Sequence, residues 1–552
     1  MDVKERLRSW AVLIAVNALA VAAFATLALT GQRALGYVLT ALALAGLVWH
    51  AWTRGFVETV AAQLLLAAAV FADYHVHHPD RSGGLLALTG AVLALLIIDQ
   101  PVIAFIIERP RLRVANLPGY VPARATVLPP RWLYAANIAV VVLAGLASLA
   151  GWPVGLLAVA LAVVVVATGV VGLQATARIL RGSLTELAFR TAIERYDPRF
   201  ALHFSAPADT EYHVTMWLPY LERIGEPFVV ILREAHSFDA IAVATRAPVV
   251  YCPSAPFIDQ VVTGGMKACF YVNNGAMNTH MVRFTRLTHI QLLHGDSDKT
   301  SSFNPVTAMY DRVFVAGQAG IDRYAENGVL IPLEKFDIVG RPQVESIAVA
   351  HNEEIRDVAN KTVLYALTWV GLYSDQQYCS LPIAEKIVAG LLQRGVRVIL
   401  RPHPYSARHP PSVRQIARLN QMLEGDRERT GRAHVFGGDA TGPNLVELIN
   451  SADALISDVG SIATDWLYTR KPFALTDMTG QPRDTFEAGF PLARAAYLID
   501  RTASNLGTVL DELLNTDPLA VTRRLTRNYY LGDFPSERYA DGFIEAARSY
   551  LR

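Results

Sequence analysis

Residues 455–467 read Leu455-Ile456-Ser457-Asp458-Val459-Gly460-Ser461-Ile462-Ala463-Thr464-Asp465-Trp466-Leu467, and this stretch decides the fold of the C-terminal half. Its apolar start is typical of a strand buried on both faces of a parallel sheet. Gly460 and Ser461 form a turn, and the residues after them predict a helix. A helix start offers free backbone N–H groups and a positive dipole end, so the stretch predicts a phosphate site. An alternative role for Asp458 or Ser461, a helix N-cap, is compatible with that site.

Apolar runs of the same kind recur on both sides of this stretch and alternate with polar, helix-like segments. Such alternation indicates βαβ units around parallel sheets. The polar segment Ala350–Lys361 divides the runs into two series, which predict two doubly wound, Rossmann-like α/β domains. The first series comprises Phe228–Leu232, Pro248–Tyr251, Ala268–Val272, Ile290–Leu293 and Arg312–Val315, and the second comprises Thr362–Leu367, Val396–Arg401, Ala433–Phe436, Ala454–Ser457 and Pro472–Leu475.

The part of the chain before Arg178 is dominated by Ala, Leu and Val, whereas charged residues, His and Pro become frequent after it. A transmembrane helix needs about 20 apolar residues. Six stretches qualify, so we expect an α-helical membrane domain of about six helices over residues 1–178. The first stretch is too long for a removable signal peptide, and more follow it. The stretches are Trp10–Thr30, Leu35–Trp52, Gly55–Phe71, Gly83–Ile107, Trp132–Gly151 and Val154–Ala177.

The distribution of Lys and Arg predicts that both ends of this domain face the cytoplasm, which places the α/β half of a multi-pass membrane protein in the cytoplasm. Arg33 and Arg81 are exceptions, because they fall in loops predicted to lie outside. Residues 179–196 predict an amphipathic helix, either on the inner leaflet or packed on the α/β half. The basic residues on the inner side are Lys4, Arg6, Arg8, Arg109, Arg111, Arg113, Arg124, Arg131, Arg178 and Arg181.

Several classes of protein are excluded or disfavoured by the composition. The 552 residues carry a net charge of +1 without a long basic stripe, so nucleic acid is not an expected partner. Cys252, Cys269 and Cys379 are far apart and show neither metal spacing nor a disulfide framework. The sequence contains no P-loop, GxSxG, HExxH or GxGxxG motif. We therefore predict no metal site and no cofactor, and leave dependence on a divalent ion open.

Polar residues directly after the predicted strands are the first candidates for chemistry, because ligands of such sheets bind beyond the carboxyl ends of the strands. His294 follows one strand and precedes Gly295, with Lys299 nearby. A histidine titrates near neutrality and can take a proton from a hydroxyl nucleophile. Arg401 and His403, in Arg401-Pro402-His403-Pro404, can bind phosphate oxygens, and a stiff structural turn is the alternative. The turn Gly340-Arg341-Pro342 carries weaker evidence.

Five short motifs, in order over residues 290–476, resemble the CDP-glycerol:poly(glycerophosphate) glycerophosphotransferase family. Four departures from the family pattern bear on the identity of the polyol more than on the fold: Asp296-Ser297, Leu367 with Val370, the reversed order Arg341-Pro342, and Gly460. The motifs are His294-Gly295 with Lys299, Gly340-Arg341-Pro342, Leu364-Tyr365-Ala366-Leu367-Thr368-Trp369, Arg401-Pro402-His403-Pro404, and Ser457-Asp458-Val459-Gly460-Ser461 with Asp465 and Lys471-Pro472.

The resemblance implies a glycosyltransferase-B-type fold, with an acceptor-side domain over residues 179–349 and a donor nucleotide-binding domain over residues 350–552. It implies transfer of a polyol phosphate from a CDP-polyol to a hydroxyl of a lipid-linked acceptor, in teichoic-acid-like polymer synthesis. His294 is then the general base, and His403 binds the donor phosphate. The remaining implied substrate- and phosphate-binding residues are Lys299, Arg341, Thr368, Arg401, Asp458, Gly460, Ser461 and Asp465, with Asp458 and Asp465 ordering the loop.

Two other functions fit the sequence. One is a sugar-nucleotide-dependent glycosyltransferase of the same fold, since the strand-end residues suit either donor. The other is a polymer-export or transport subunit with a nucleotide-binding domain. The intramembrane acids Glu58 and Asp99 are its only support, and the chain has no P-loop to drive transport.

Overall fold

The computed structural model describes residues 3–54, 57–81, 83–121, 129–350, 354–371, 378–441 and 445–552. The chain divides into two compact units. One comprises Met1–Arg111 with Gly119–Thr191, and the other comprises Leu112–Pro118 with Ala192–Arg552. The predicted division of the second unit at residues 349 and 350 stays a prediction.

The first unit is helical. Among the described residues, six helices are long and apolar enough to cross a bilayer, which confirms the predicted number. Gly55, where the third span was predicted to begin, and Arg124 lie outside the described residues. Residues 179–196 continue the sixth helix without a break and are not a separate helix. The helices are α1 Val3–Phe24, continued by a π-helical turn Ala25–Thr30, α2 Arg33–Arg54, α3 Val60–His77, α4 Gly84–Glu108, α5 Arg131–Ala150 and α6 Val154–Tyr196.

A buried acid in α3, Asp73, organises one end of this helical unit. Its Oδ2 atom accepts hydrogen bonds from Arg33 Nη2 at 3.0 Å, Tyr37 Oη at 2.7 Å and Ser148 Oγ at 2.6 Å. The Arg81 guanidinium donates to a backbone carbonyl at the turn after α5. Arg33 and Arg81, the two exceptions to the predicted charge distribution, are therefore held by specific contacts at helix ends.

The two intramembrane acids that the sequence singled out have different surroundings from Asp73. The Glu58 side chain is 60% exposed, and its Oε2 lies 3.4 Å from His50 Nε2. Asp99 is also exposed, on α4. Acids of a transport pathway face the interior of a helix bundle or a water-filled cavity. The placement of Glu58 and Asp99 gives no support to the transport hypothesis.

The second unit contains two sheets in its described residues. The first has eight strands in the order β1-β4-β3-β2-β5-β6-β7-β8, all parallel except β1, which pairs antiparallel with β4. The second has five parallel strands in the order β10-β9-β11-β12-β13. The strands are β1 Arg113–Ala115, β2 Phe200–Phe204, β3 Phe228–Leu232, β4 Val249–Tyr251, β5 Ala268–Tyr271, β6 Thr288–Gln291, β7 Arg312–Val315, β8 Phe336–Ile338, β9 Thr362–Ala366, β10 Arg397–Arg401, β11 Ala454–Ser457, β12 Phe473–Asp477 and β13 Tyr497–Asp500.

Helices cover these sheets, and alternate residues of β9 show that both faces are buried. Leu364 and Ala366 belong to one apolar cluster, and Val363 and Tyr365 belong to another. This confirms the predicted fold class. The remaining helices are α7 Tyr212–Thr215, α8 Leu218–Arg223, α9 Phe238–Ala244, α10 Ala255–Val261, α11 Thr279–Val282, α12 Gln318–Glu326, α13 Ala384–Gln393, α14 Pro410–Thr430, α15 Gly438–Thr441, α16 Leu445–Asn450, α17 Ser461–Trp466, α18 Arg483–Gly489, α19 Leu506–Asp511, α20 Ala520–Leu531 and α21 Asp541–Ser549.

Nine of the ten predicted strand runs form strands. The exception is Ala433–Phe436, where Val435 makes only an isolated bridge to Ile399. Conversely, the strands β1, β2 and β13 were not predicted. Each contains a polar residue, Arg113, His203 and Asp500 respectively, which shortens its apolar run.

Helix α21 crosses back to the first sheet. Phe543, Ile544 and Ala547 are buried in the same apolar cluster as Phe200 of β2. The Phe543 ring centroid lies 5.1 Å from that of Trp217. The core of the first sheet is thus completed by residues that follow the whole second sheet in the chain.

We expect Phe543→Ala to destabilise the first sheet by about 3–5 kcal/mol, because it removes a buried aromatic ring and leaves a cavity. Hydrogen exchange on the full chain measures this as faster exchange of the β2 and β7 amides, with β9 and β11 unchanged. Glu545→Ala, which shortens a side chain 71% exposed on the same helix, is the matched control. Faster exchange in the second sheet alone would contradict the placement of α21.

Candidate active site

The loop after β6 begins with a left-handed residue. Leu293 has φ 57°, a conformation that is costly for a residue with a branched side chain. Two hydrogen bonds hold it there: Leu293 N donates to Gln291 Oε1 at 3.0 Å, and Trp217 Nε1 donates to Leu293 O at 2.7 Å. The turn fixes the direction in which the chain enters His294.

The His294 ring has a defined tautomer. Its Nδ1 lies 3.0 Å from the carbonyl oxygen of Val272. A carbonyl only accepts hydrogen bonds, so Nδ1 carries the hydrogen and Nε2 keeps its lone pair. Burial lowers the pKa of His294, the Val272 hydrogen bond opposes this, and the Arg341 charge adds to the lowering. At neutral pH the ring is therefore uncharged and able to accept a proton at Nε2.

A second histidine, His213, lies flat against His294. The ring centroids are 3.6 Å apart, and the ring planes differ by 11°. His213 is 8% exposed, and its Nδ1 has no hydrogen-bond partner among the described residues. Burial, with the nearby His294, lowers the pKa of His213 to about 3. His213 was not predicted as a site residue, because it lies in the short helix α7 and not at the end of a strand.

Two acids fix the rest of the His294 loop. Arg323, buried on α12, donates from Nη1 to Asp296 at 2.6 Å and from Nη2 to Asp298 at 3.1 Å. Asp298 also accepts a hydrogen bond of 2.8 Å from Tyr530 Oη. Asp296 is one of the departures from the family pattern. Its ion pair with Arg323 gives this residue a structural role in the loop.

Lys299 reaches from this loop to the second sheet. Its Nζ donates to Thr368 Oγ1 at 3.2 Å and lies 5.6 Å from the centroid of the Tyr378 ring. A Cβ atom placed on Gly460 would lie 3.9 Å from the same Nζ. Burial lowers the pKa of Lys299, and the Asp458 charge opposes this. Lys299, Thr368 and Gly460, all predicted site residues, are therefore adjacent to one another.

The His294 loop also contacts the start of α17. A Cβ atom on Gly295 would lie 3.6 Å from Ser461 Cβ. The N-cap of α17 is Gly460, which makes no side-chain cap, so the alternative N-cap role for Asp458 or Ser461 is wrong. Gly460 has no side chain to cover the helix start, and the first backbone N–H groups of a helix have no partners within it.

Asp458 orders the loop before α17. Its carboxylate accepts hydrogen bonds from Thr368 N at 2.7 Å, Ser380 N at 3.2 Å and Thr476 Oγ1 at 2.6 Å. These contacts use both carboxylate oxygens and tie β9, β11 and β12 together at their carboxyl ends. This arrangement fits the ordering role that the resemblance implies for Asp458.

Arg341 forms a buried ion pair with Asp465. Its Nε and Nη2 atoms donate to the two carboxylate oxygens, the second at 3.2 Å, and the backbone N of Arg341 donates to Tyr539 Oη at 3.2 Å. The pair joins the end of β8 in the first sheet to α17 beside the second. Substrate binding by Arg341 stays a prediction, and the geometry gives it a structural role first.

His403 and Arg401 lie at the carboxyl end of β10. Tyr405 N donates to His403 Nδ1 at 3.1 Å, so the hydrogen of this ring is on Nε2. Burial, together with the charges of Lys299 and Arg401, lowers the pKa of His403 to about 4. Neutral His403 is therefore a hydrogen-bond donor, which suits a phosphate oxygen. Arg401 Nη1 donates to Ala440 O at 2.7 Å.

The described residues contain no group of three or more His, Cys, Asp or Glu side chains that could hold a metal ion. The site thus brings together His294, Lys299, Thr368, Gly460 and Ser461. His403 lies close enough to Lys299 for its pKa to respond to that charge.

Comparison with known proteins gives similar solved structures only, since no protein-family model and no curated protein matches the chain. A glycosyltransferase from Rickettsia africae is 12% identical with a TM-score of 0.42, covering 64% of this chain and 98% of its own. Anabaena HepE in complex with UDP and glucose is 14% identical with a TM-score of 0.39, covering 64% and 100%. The wall teichoic acid polymerase TagF, soaked with CDPG, is 12% identical with a TM-score of 0.41, covering 68% and 95%.

We expect Arg341→Leu to destabilise the second unit by about 3–5 kcal/mol, because it leaves the Asp465 carboxylate buried without its cation. Thermal unfolding of the detergent-solubilised chain measures the loss. The double variant Arg341→Leu, Asp465→Leu removes both charges and should recover most of it. If Arg341→Leu unfolds at the wild-type temperature, the ion pair contributes nothing to the stability of the second unit.

Proposed function

We propose that this chain is a membrane-anchored transferase that moves a polyol phosphate, with glycerol phosphate the first choice, from a CDP-polyol to a hydroxyl of a lipid-linked acceptor. The product is a teichoic-acid-like cell-wall polymer of a bacterium. One observation carries the proposal. His294 carries an unprotonated Nε2 in a loop that contacts Thr368, through Lys299, and the start of α17, through Gly295.

The proposed reaction is an in-line displacement at phosphorus. The acceptor oxygen bonds to the phosphorus that carries the polyol, while the bond from that phosphorus to the bridging oxygen breaks. The hydroxyl proton moves to His294 Nε2, and CMP leaves with the electron pair of the broken bond. Positioning and charge stabilisation supply most of the rate in such transfers, so the fixed tautomer and ring plane of His294 matter directly.

The leaving phosphate needs positive charge and hydrogen-bond donors, and residues gathered at the carboxyl ends of the second sheet, Lys299 of the His294 loop among them, supply both. Lys299 provides an ammonium, His403 provides Nε2–H, and the N–H groups at Ser461 belong to a helix start. The electrostatic attraction between these groups and a phosphate is stronger in a partly buried site than in water. They also suit the diphosphate of a sugar nucleotide, which keeps the glycosyltransferase as a second candidate.

The six apolar helices are compatible with a membrane anchor. We propose that the second unit is cytoplasmic, on the basis of the Lys and Arg distribution, because nucleotide-activated donors are made in that compartment. A lipid-linked acceptor accounts for the combination of a helical anchor and a nucleotide-dependent site.

We expect His294→Ala to lower turnover by about 10²–10⁴-fold with CDP-glycerol and a lipid-linked acceptor, because the variant lacks the general base. His236→Ala, which removes an exposed histidine after β3, is the control. Near-normal turnover by His294→Ala would remove His294 from the mechanism. A parallel panel of CDP-polyols and UDP-sugars tests the donor, and wild-type turnover with UDP-sugars alone would favour the glycosyltransferase.

The pH dependence of kcat/KM is expected to follow the neutral form of His294. Burial lowers the pKa of this ring below its usual 6.5, so the rate should be flat around pH 7 and fall only as acid protonates Nε2. Initial rates between pH 4.5 and 8 with a saturating donor measure the acid limb. A rate that rises toward low pH would contradict a basic role for His294.

A further inference from the structure

We propose that His213 is a positioning residue for His294. Its ring holds the His294 imidazole in the plane that presents Nε2 to the acceptor hydroxyl. The catalytic part of this inference rests on the proposed function. The structural part concerns only the contact between the two rings and does not depend on the identity of the donor.

The first argument is geometric. The hydrogen bond from His294 Nδ1 to Val272 O restrains one edge of the ring and leaves its two faces without support. An aromatic ring stacked on one face restricts the remaining rotation of the imidazole. His213 provides that ring, with centroids 3.6 Å apart and planes within 11°.

The second argument concerns what holds His213 itself. The edges of two aromatic rings close on it, Tyr212 with a centroid distance of 4.4 Å and Phe204 with a centroid distance of 6.2 Å, both nearly perpendicular to its plane. His213 is buried in this setting. A ring that is itself fixed on its sides can fix the ring that stacks on it.

The third argument concerns charge. The groups that face the His294 ring are His213 and Tyr212 from α7 and Arg341 from the turn after β8. Two stacked imidazolium rings would repel each other, so the pair holds one proton more readily than two. Burial and the neighbouring His294 lower the pKa of His213 to about 3, so His213 stays neutral near pH 7. The proton taken from the acceptor therefore resides on His294, beside a neutral ring face that attracts a cation.

The variants His213→Ala and His213→Phe separate these contributions. Alanine removes the stacked ring and admits water, so kcat should fall at least tenfold with KM for the donor unchanged. The pKa of His294 should move up toward its ordinary value, which shifts the acid limb of kcat to higher pH. Phenylalanine restores a flat, apolar ring, so it should recover most of kcat and keep the acid limb low.

Two readouts on the full chain in detergent decide the outcome. Steady-state rates with CDP-glycerol and a lipid-linked acceptor report kcat and KM across pH. Nitrogen-15 NMR of the imidazoles reports the titration of His294 without any substrate. Unchanged kcat and unchanged His294 titration in His213→Ala would overturn the proposal. A phenylalanine variant that folds but is no better than alanine would also overturn it, because an atom of His213 and not its ring plane would then act.

His203→Ala is the matched control for the loss of a buried imidazole. His203 is fully buried on β2 and hydrogen-bonded to Asn278, and its ring does not stack on His294. This variant should lower the unfolding temperature and leave kcat and the titration of His294 unchanged. If the wild type turns over no CDP-polyol, the proposed function fails, whereas the NMR comparison still decides the role of His213.

Discussion

The buried ion pair between Arg341 and Asp465 is the interaction on which the arrangement of the site depends. Arg341 follows β8 of the first sheet, and Asp465 lies in α17 at the loop edge of the second. Removing two charges from water is expensive, so such a pair persists only when its geometry fixes both partners. Here it sets α17 beside the His294 loop. The contacts of Gly295 with Ser461, and of Lys299 with Thr368, lie in the same region and depend on that spacing.

Much of the site could be predicted because ligands of parallel sheets bind beyond the carboxyl ends of the strands. His294, Lys299, His403 and Ser461 all follow apolar runs, and the carboxyl ends of parallel strands lie at one edge of a sheet. His213 follows no strand, and its role depends on a ring contact between segments about 80 residues apart in sequence, which no local pattern encodes. The strand β2 was missed because its run Phe200–Phe204 is interrupted by His203. The buried ion pair of Arg341 with Asp465 was not predicted, since a sequence does not reveal which acid will pair with a given cation.

In the helical unit, too, the partner of a charged residue could not be predicted from the sequence. Arg33 is an exception to the predicted distribution of basic residues, and no role was predicted for Asp73. The two residues, 40 positions apart in the chain, form one ion pair in which Asp73 is buried and Arg33 is partly exposed. Charged residues within apolar helices are costly unless they are paired, so each of these two residues explains the presence of the other.

The return of α21 to the first sheet bears on the order of folding during synthesis. Arg199 Nη2, at the start of β2, donates to the carbonyl of Leu551, which is 352 residues further along the chain. At about 5–20 residues per second, the ribosome needs roughly 20–70 s to make that stretch. During this time the first sheet still exposes the apolar surface that Phe543 and Ile544 later cover. The nascent first sheet is therefore a natural client for a chaperone.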